Sequence, residues 1–368
     1  MSIEISNSRA TLPDYELIRT ARQLALPGFG LEQQLRLHKA HVLVIGTGGL
    51  GCPVMQSLAS AGVGTISVID DDTVDITNIH RQILFGAGDV GQPKVHIAAL
   101  RLEELQPGIS VHPLQMRLTS DNAIKLFNSV DLVIDGSDSF TTKYLAADAA
   151  EITGTPLLWA TVLRFHGELA LFNSGPTNRG VGLRDVFPEQ PNADFVPDCA
   201  TAGVLGATTA TIGSLLATHA IGFLAGLPGI TPGQLISYDA FPASLRTFTV
   251  VADPARQPVR ALADTYEVSG ACQSPTLIDA LYSGSYTALD IREPHEVILN
   301  DLPESIASQK LPLSSISSEN DVAKVLNAID GDVLVYCASG KRSSAFVEDY
   351  SHLGKTLVSL PGGVNALA

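Results

Sequence analysis

Cysteine is scarce in this sequence: only Cys52, Cys199, Cys272 and Cys337 occur among 368 residues. They lie far apart, which excludes a disulfide scaffold and fits a reducing compartment. No CxxC pair exists, so a thiolate zinc site has no sequence support. Basic residues are outnumbered, with 23 Lys and Arg against 38 Asp and Glu, giving a formal charge of −15. Such a chain has no general cationic face for nucleic acid or anionic membrane, although a nucleotide needs only a local site. The N-terminus, MSIEISNSRATLPDYE, lacks the basic start and apolar run of a secretory signal, so a cytoplasmic location is expected. The stretch Ala200–Tyr238 carries no formal charge, and residues 203–227 would be long enough to cross a bilayer. Its Gly, Ala and Thr content, His219, and the missing aromatic belt favour a buried helix, at a subunit interface, over a membrane span.

What is present reads as an α/β protein. With 45% apolar and 17% charged residues the composition is globular, and the length suits two domains. Strands are expected at His41–Gly46, Thr65–Asp70, Ser110–Leu114 and Asp131–Asp135. Helices are expected at Gly51–Ala61, Lys94–Leu105, Asp121–Phe127 and Thr142–Ile152. That alternation predicts a Rossmann-like, doubly wound parallel sheet. Strands at Leu157–Thr161, Glu168–Phe172 and Leu245–Val251 would extend it in antiparallel fashion. The reading therefore assigns 1–251 to a first domain and 252–274, which contains Pro254, Pro258 and Gly270, to a linker. Residues 275–368 form a smaller α/β domain with strands at Thr287–Asp290 and Val333–Tyr336.

Gly46, Gly48, Gly49 and Gly51 fit GxGxxG between a strand and a helix, where the backbone turns sharply and meets a phosphate at the helix start. Asp70 ends the next strand, placed to accept from ribose hydroxyls. Alone, this means a nucleotide, with a dinucleotide as the default. The run Asp70-Asp71-Asp72 to Asn78 and Arg81, then Gly91-Gln-Pro-Lys94, adds spaced cations that a nicotinamide cofactor does not need. A nucleoside triphosphate does need them, with magnesium, to stabilise a leaving pyrophosphate.

In these motifs, and in Asp135-Gly-Ser-Asp138-Ser139-Phe-Thr-Thr-Lys143, residues 18–251 resemble the ubiquitin-activating-like adenylyltransferases that act on molybdopterin-synthase and thiamine sulfur carriers. The resemblance implies ATP contacts from Gly49, Asp70, Asp72, Asn78, Arg81 and Lys94, and a magnesium-associated Asp138. It also implies that Arg22 reaches the other subunit's ATP in a homodimer. Ser139 stands where the family usually has Asn. The family's two CxxC pairs are missing from 173–188 and 252–258, so no zinc is expected.

Two cysteines carry possible chemistry. Cys199 precedes the uncharged helix, whose N-terminus would favour thiolate, although a lone Cys there is commonly packing. The resemblance places it at a cysteine that forms an acyl-linked intermediate in some members. Cys337 ends a buried strand and opens the loop Cys337-Ala-Ser-Gly340-Lys-Arg342-Ser343, whose N–H groups and Arg342 would hold an anionic sulfur. With Asp290-Ile-Arg292-Glu293-Pro-His-Glu296 and the closing Leu360-Pro-Gly-Gly363, residues 274–368 resemble rhodanese-like sulfurtransferase domains. A Cys337 persulfide is then implied, although the segment Ser305–Pro312 departs from the family pattern.

The combined expectation is an enzyme that adenylates the C-terminal glycine of a ubiquitin-like carrier ending in Gly-Gly. It would then deliver sulfur that an upstream persulfide donor has loaded on Cys337. An NAD-linked oxidoreductase with a rhodanese-like appendage and a decayed carrier-binding scaffold are the alternatives.

Overall fold

A computed structural model describes residues 12–191, 203–263, 265–266, 277, 281–282, 284–298, 301–303, 305–306 and 308–367. The described residues fall into two compact units, 12–190 with 203–266, and a second from 277 onward. Helices α1 (Asp14–Arg19), α2 (Ala21–Leu24) and α3 (Leu31–Lys39) lead into the first sheet. Its strands are β1 (His41–Ile45), β2 (Thr65–Ile69), β3 (Ser110–Leu114), β4 (Leu132–Asp135), β5 (Leu157–Leu163), β6 (His166–Phe172), β7 (Gln234–Ala240) and β8 (Ala243–Thr249). Between them run α4 (Gly51–Ala61), α5 (Lys94–Leu105), α6 (Ser120–Phe127), α7 (Phe140–Thr153) and α8 (Gly206–Ala225).

The eight strands lie in the order β3-β2-β1-β4-β5-β6-β7-β8. The first five are parallel and the rest antiparallel. Val42–Ile45 and Ile66–Ile69 are buried throughout, as continuous apolar runs in a covered parallel sheet must be. The strand order reverses direction between β1 and β4, and the open crevice at the carboxyl ends of such strands is where this architecture receives ligands. Helix α8 is long and apolar enough to cross a membrane by length and composition. In this structure it packs on α3, α4, β5 and β6, with Ile212, Leu216 and Ala220 wholly buried.

Of the stretch 252–274, read from the sequence as linker, the described residues 252–263 and Tyr266 are held within the first unit by charges and hydrogen bonds. Asp148 and Glu151, one turn apart on α7, face outward from the sheet into this segment. Tyr266 donates to Asp148 (2.7 Å), and both Arg256 Nη atoms reach Glu151 at 2.9 Å. Arg256 also pairs with Asp185 (2.9 Å), which Arg179 binds in turn (2.6 Å). These ion pairs join the stretches 173–188 and 252–258.

In the second unit, β9 (Tyr286–Asp290), α9 (Pro294–Val297), β10 (Ser308–Lys310), α10 (Glu319–Ala328), β11 (Asp332–Tyr336), α11 (Lys341–Tyr350) and β12 (Leu357–Ser359) follow in sequence. The parallel sheet has the order β10-β9-β11-β12. The divergent segment around 305–312 still supplies its edge strand. Lys310 there bonds Asp290 and Asp301, both at 2.8 Å.

Candidate active site

The glycine turn follows from how closely the backbone doubles back after β1. Gly46 has φ +86°, and a Cβ on Gly51 would sit 2.0 Å from the Gly46 carbonyl oxygen. A Cβ on Gly48 would meet nothing nearer than 3.9 Å, so its backbone is open to a ligand. Gly49 is covered by Thr209, whose side chain would lie 3.1 Å from a Cβ there. The first turn of α8 therefore abuts the glycine turn, and Gly206 likewise presses on the carbonyl of His80.

Asp70 fixes this turn to β2. Its Oδ2 accepts from the Thr47 N–H (2.7 Å) and hydroxyl (2.5 Å), and its Oδ1 from the Asp72 N–H (2.9 Å). The carboxylate assigned to ribose is thus also a clamp on the phosphate turn, with lone pairs to spare on Oδ1. Asp72 Oδ2 pairs with Lys94 Nζ at 2.8 Å; the lysine side chain is 5% exposed and the aspartate 61%. The pair, with the Lys94 N–H donating to the Asp72 carbonyl (3.0 Å), holds the start of α5 against the loop after β2. Asn78 Oδ1 accepts from Arg81 Nη2 at 2.6 Å, so two of the motif's residues orient each other. Asp75 caps the helical turn Ile76–Asn78, and its hydrogen bonds from Thr77 hold its carboxyl below the ordinary value. Carboxylate oxygens of Asp70, Asp71 and Asp72 lie within 4.8 Å of one another.

Asp138 and Ser139 are exposed on the turn between β4 and α7. That turn hangs on buried Asp135. Its Oδ1 accepts from Ser137 N (3.1 Å) and Oγ (2.6 Å), and its Oδ2 pairs with Lys143 Nζ at 3.1 Å. Gly136 leans on the glycine turn, where a Cβ would lie 3.1 Å from Gly51 N. The structure thus brings Gly46, Gly48, Gly49, Asp70, Asp72, Asn78, Arg81, Lys94, Asp138 and Ser139 to the ends of β1, β2 and β4. Arg22 is not among them: it is exposed on α2 and makes no ion pair among the described residues. Cys199 lies outside the described residues. Cys52 donates to the Thr47 carbonyl, and burial pushes its thiol up to about 12, which leaves it a packing residue.

In the second unit Cys337 is fully buried at the end of β11. The Gly340 N–H points at its sulfur at 3.1 Å, and Ser343 Oγ lies 3.6 Å away. Gly340 has φ +86°, as this sharp entry into α11 requires. The loop rests on the closing glycines: Val364 N–H donates to the Cys337 carbonyl and Asn365 N–H to that of Ala338. Arg342 makes a two-pronged pair with Glu296, at 2.8 and 2.5 Å. Asp290 and Arg292 are buried and paired with each other (2.8 Å), a structural brace rather than a reacting group.

The model of the ThiF family matches residues 20–259. The chain belongs to the ThiF family. It is 37% identical over 369 positions to a probable adenylyltransferase/sulfurtransferase MoeZ of Mycobacterium tuberculosis, covering 96% of this chain and 93% of that protein. A sulfur carrier protein adenylyltransferase of Thermus thermophilus is 44% identical over 65% of this ThiF-family chain and 89% of its own. The adenylyltransferase and sulfurtransferase MOCS3 of Bos taurus is 42% identical over 65% of this chain and 52% of that one. Among solved structures, E. coli MccB with ATP superposes with a TM-score of 0.56 at 19% identity, covering 66% of this chain and 74% of that one, a likeness of fold. The relatives select adenylyl and sulfur transfer over hydride transfer. The sequence reading gave no role to Thr47, Lys143 or Glu296. Serine two residues after Asp135 was the available sign of a side-chain-capped turn, and Glu296 three residues after Glu293 that of a capping box.

Proposed function

We propose that this enzyme uses ATP to adenylate the C-terminal glycine carboxylate of a ubiquitin-like sulfur carrier ending in Gly-Gly, and then transfers sulfur from a Cys337 persulfide. The observation that carries the reading is the similarity to MoeZ across both units, each of which holds an arrangement suited to one half of the chemistry. A carboxylate oxygen attacks the α-phosphorus and the bond to pyrophosphate breaks. No general base is required, because the carboxylate is already ionised near neutral pH. Two anions must approach each other, so Arg81 and Lys94 beside the open glycine turn offset their repulsion.

Magnesium, when bound, neutralises charge on the departing pyrophosphate. Asp138 suits it as a hard, exposed oxygen donor without a hydrogen-bond partner among the described residues. In the second stage the terminal sulfur of the Cys337 persulfide attacks the acyl carbon and AMP leaves. A second thiol then attacks the Cys337 sulfur of this acyl disulfide, which frees the thiocarboxylate and leaves Cys337 in a disulfide that a further external thiol reduces to the free thiol. An upstream persulfide donor reloads Cys337. We place the enzyme in the cytoplasm as a homodimer, with each Arg22 serving the other subunit's nucleotide, and without nucleic-acid or membrane partners. The packing of α8 within the first unit supports the last point.

The test is carrier-dependent ATP–pyrophosphate exchange together with mass detection of the carrier thiocarboxylate. Cys337→Ser should keep exchange and lose thiocarboxylate; an unchanged thiocarboxylate yield would refute the second stage. Exchange that proceeds normally in Arg81→Ala would refute the first.

A further inference from the structure

Among the described residues Arg164 is the one non-glycine residue with a left-handed backbone, φ +57°. It stands at the tip of the β5–β6 hairpin, in a conformation that glycine adopts freely and an L side chain adopts at a cost. The conformation persists because the chain entering α8 binds it from both sides. The Arg164 N–H donates to the Gly203 carbonyl and the Leu205 N–H to the Arg164 carbonyl, both at 3.0 Å. Neither bond uses the side chain, and glycine would make both without strain. The guanidinium is exposed and makes no ion pair among the described residues. Asp239, opposite His166 on β7, is already held by His166 and Arg246, each at 2.8 Å. The place of this tip matters. β5 runs parallel to β4 and pairs with it only as far as Trp159, opposite Asp135. The next five residues carry the hairpin about 16 Å beyond the floor of the crevice. The first turn of α8, entered directly from the bonds to Arg164, abuts Gly49 and the His80 carbonyl, so the tip stands at the rim of the nucleotide crevice. Beside it Phe165 and Phe241, 52% and 72% exposed, meet edge to face at 5.6 Å.

Resting on the adenylation reading above, we propose that Arg164 is a substrate-binding residue that receives the carrier's extended C-terminal tail on its way to the α-phosphorus. A peptide whose last carboxylate lies at the glycine turn leaves the crevice at about 3.4 Å per residue. The stretch that passes Arg164 is therefore about four to five residues before the terminus. Every such tail presents main-chain carbonyl oxygens there, and the guanidinium has five N–H donors to offer them. The Phe165–Phe241 pair forms the apolar side of the same rim. Arg164 thus holds the peptide, whereas Arg81 and Lys94 face the charge of the nucleotide. That division of labour explains why an arginine is kept at a turn whose backbone would be easier with glycine.

The experiment measures ATP–pyrophosphate exchange by the full chain, driven by a synthetic octapeptide that ends in Gly-Gly with a free carboxylate. Half-saturating concentrations of peptide and of ATP are determined separately, and urea unfolding is followed alongside. In Arg164→Gly the half-saturating peptide concentration should rise about tenfold or more, the loss of a charged hydrogen-bond donor. The value for ATP and the urea midpoint should stay as in wild type. Arg164→Lys should fall between the two, because it keeps the charge and loses the planar fork. Unchanged peptide dependence in Arg164→Gly overturns the proposal. So does a lowered urea midpoint, which would assign the side chain to the fold, or an equal rise for ATP, which would assign it to the nucleotide. Silence of the wild type with the octapeptide would strike the adenylation reading and this proposal with it, whereas an active wild type with an unchanged variant strikes this proposal alone.

Discussion

Replacing Lys143 with Met should be among the most damaging single changes in the first unit. The lysine side chain is 3% exposed and its partner Asp135 is 0% exposed, with 3.1 Å between them. Lys143 Nζ also donates to the Ala160 carbonyl at 2.6 Å. Methionine fills the same space but leaves a buried carboxylate with only the two Ser137 donors. Stranding one member of a buried ion pair costs about 3–5 kcal/mol, against a total domain stability of roughly 5–15 kcal/mol. Adding Asp135→Asn should recover most of that loss, since the amide oxygen still accepts from Ser137 while the stranded charge is gone. The assay is urea unfolding of the full chain followed by fluorescence of Trp159, which lies 5.8 Å from Lys143 Nζ and is the sole tryptophan. Pyrophosphate exchange should fall with it, because Asp138 is carried on the turn that Asp135 pins. A single-variant cost below about 1 kcal/mol, the range of an exposed pair, would refute the reasoning. So would a double variant no more stable than Lys143→Met.

Two further outcomes follow from the geometry. Burial opposes ionisation of Asp185, but Arg256 and Arg179 and two backbone N–H groups overcome it and hold the carboxyl far below its ordinary 3.8. A depressed carboxyl stabilises the fold above its unfolded value and ceases to do so as pH falls through the folded one. The stability gap between wild type and Asp185→Asn should therefore be constant above about pH 5 and shrink below about pH 4; a gap that is flat down to pH 2 would count against the pairing. Gly363→Ala should cripple sulfur transfer while sparing pyrophosphate exchange. A Cβ there would fall 2.4 Å from the Cys337 carbonyl oxygen, and φ is +61°; equal thiocarboxylate yield from this variant would show that the closing glycines do not shape the loop.

The parallel half of the large sheet was legible because its strands are uninterrupted apolar runs set between helical stretches. The expected span Ser110–Leu114 coincides with β3, and Gly51–Ala61 with α4. Strand β7 escaped notice because most of Gln234–Ala240 lies in the same uncharged stretch as α8, where the turns at Pro228-Gly229 and Pro232-Gly233 are the signals that divide them. Residues 252–263 and Tyr266 read as linker because side-chain charges and hydrogen bonds hold them, and pairing between distant single residues leaves no local pattern. The same holds within the sites. The types Asp70, Lys94 and Arg81 were visible as a motif, but the clamp on Thr47 and the coupling of Arg81 to Asn78 exist only once the loops meet. Glu296 and Lys143 were seen as letters of motifs whose work is done on other residues.

The anchoring of Arg256 and Tyr266 on α7 bears on how the adenylating half is to be excised as a stand-alone catalyst. A cut after Val251, where the last strand of the large sheet has just ended, would discard the guanidinium that neutralises Glu151 and Asp185 and the phenol that caps Asp148. Three carboxylates that are at most 5% exposed as side chains would lose partners together. A fragment carried through Tyr266 keeps them, and should express as the sturdier of the two.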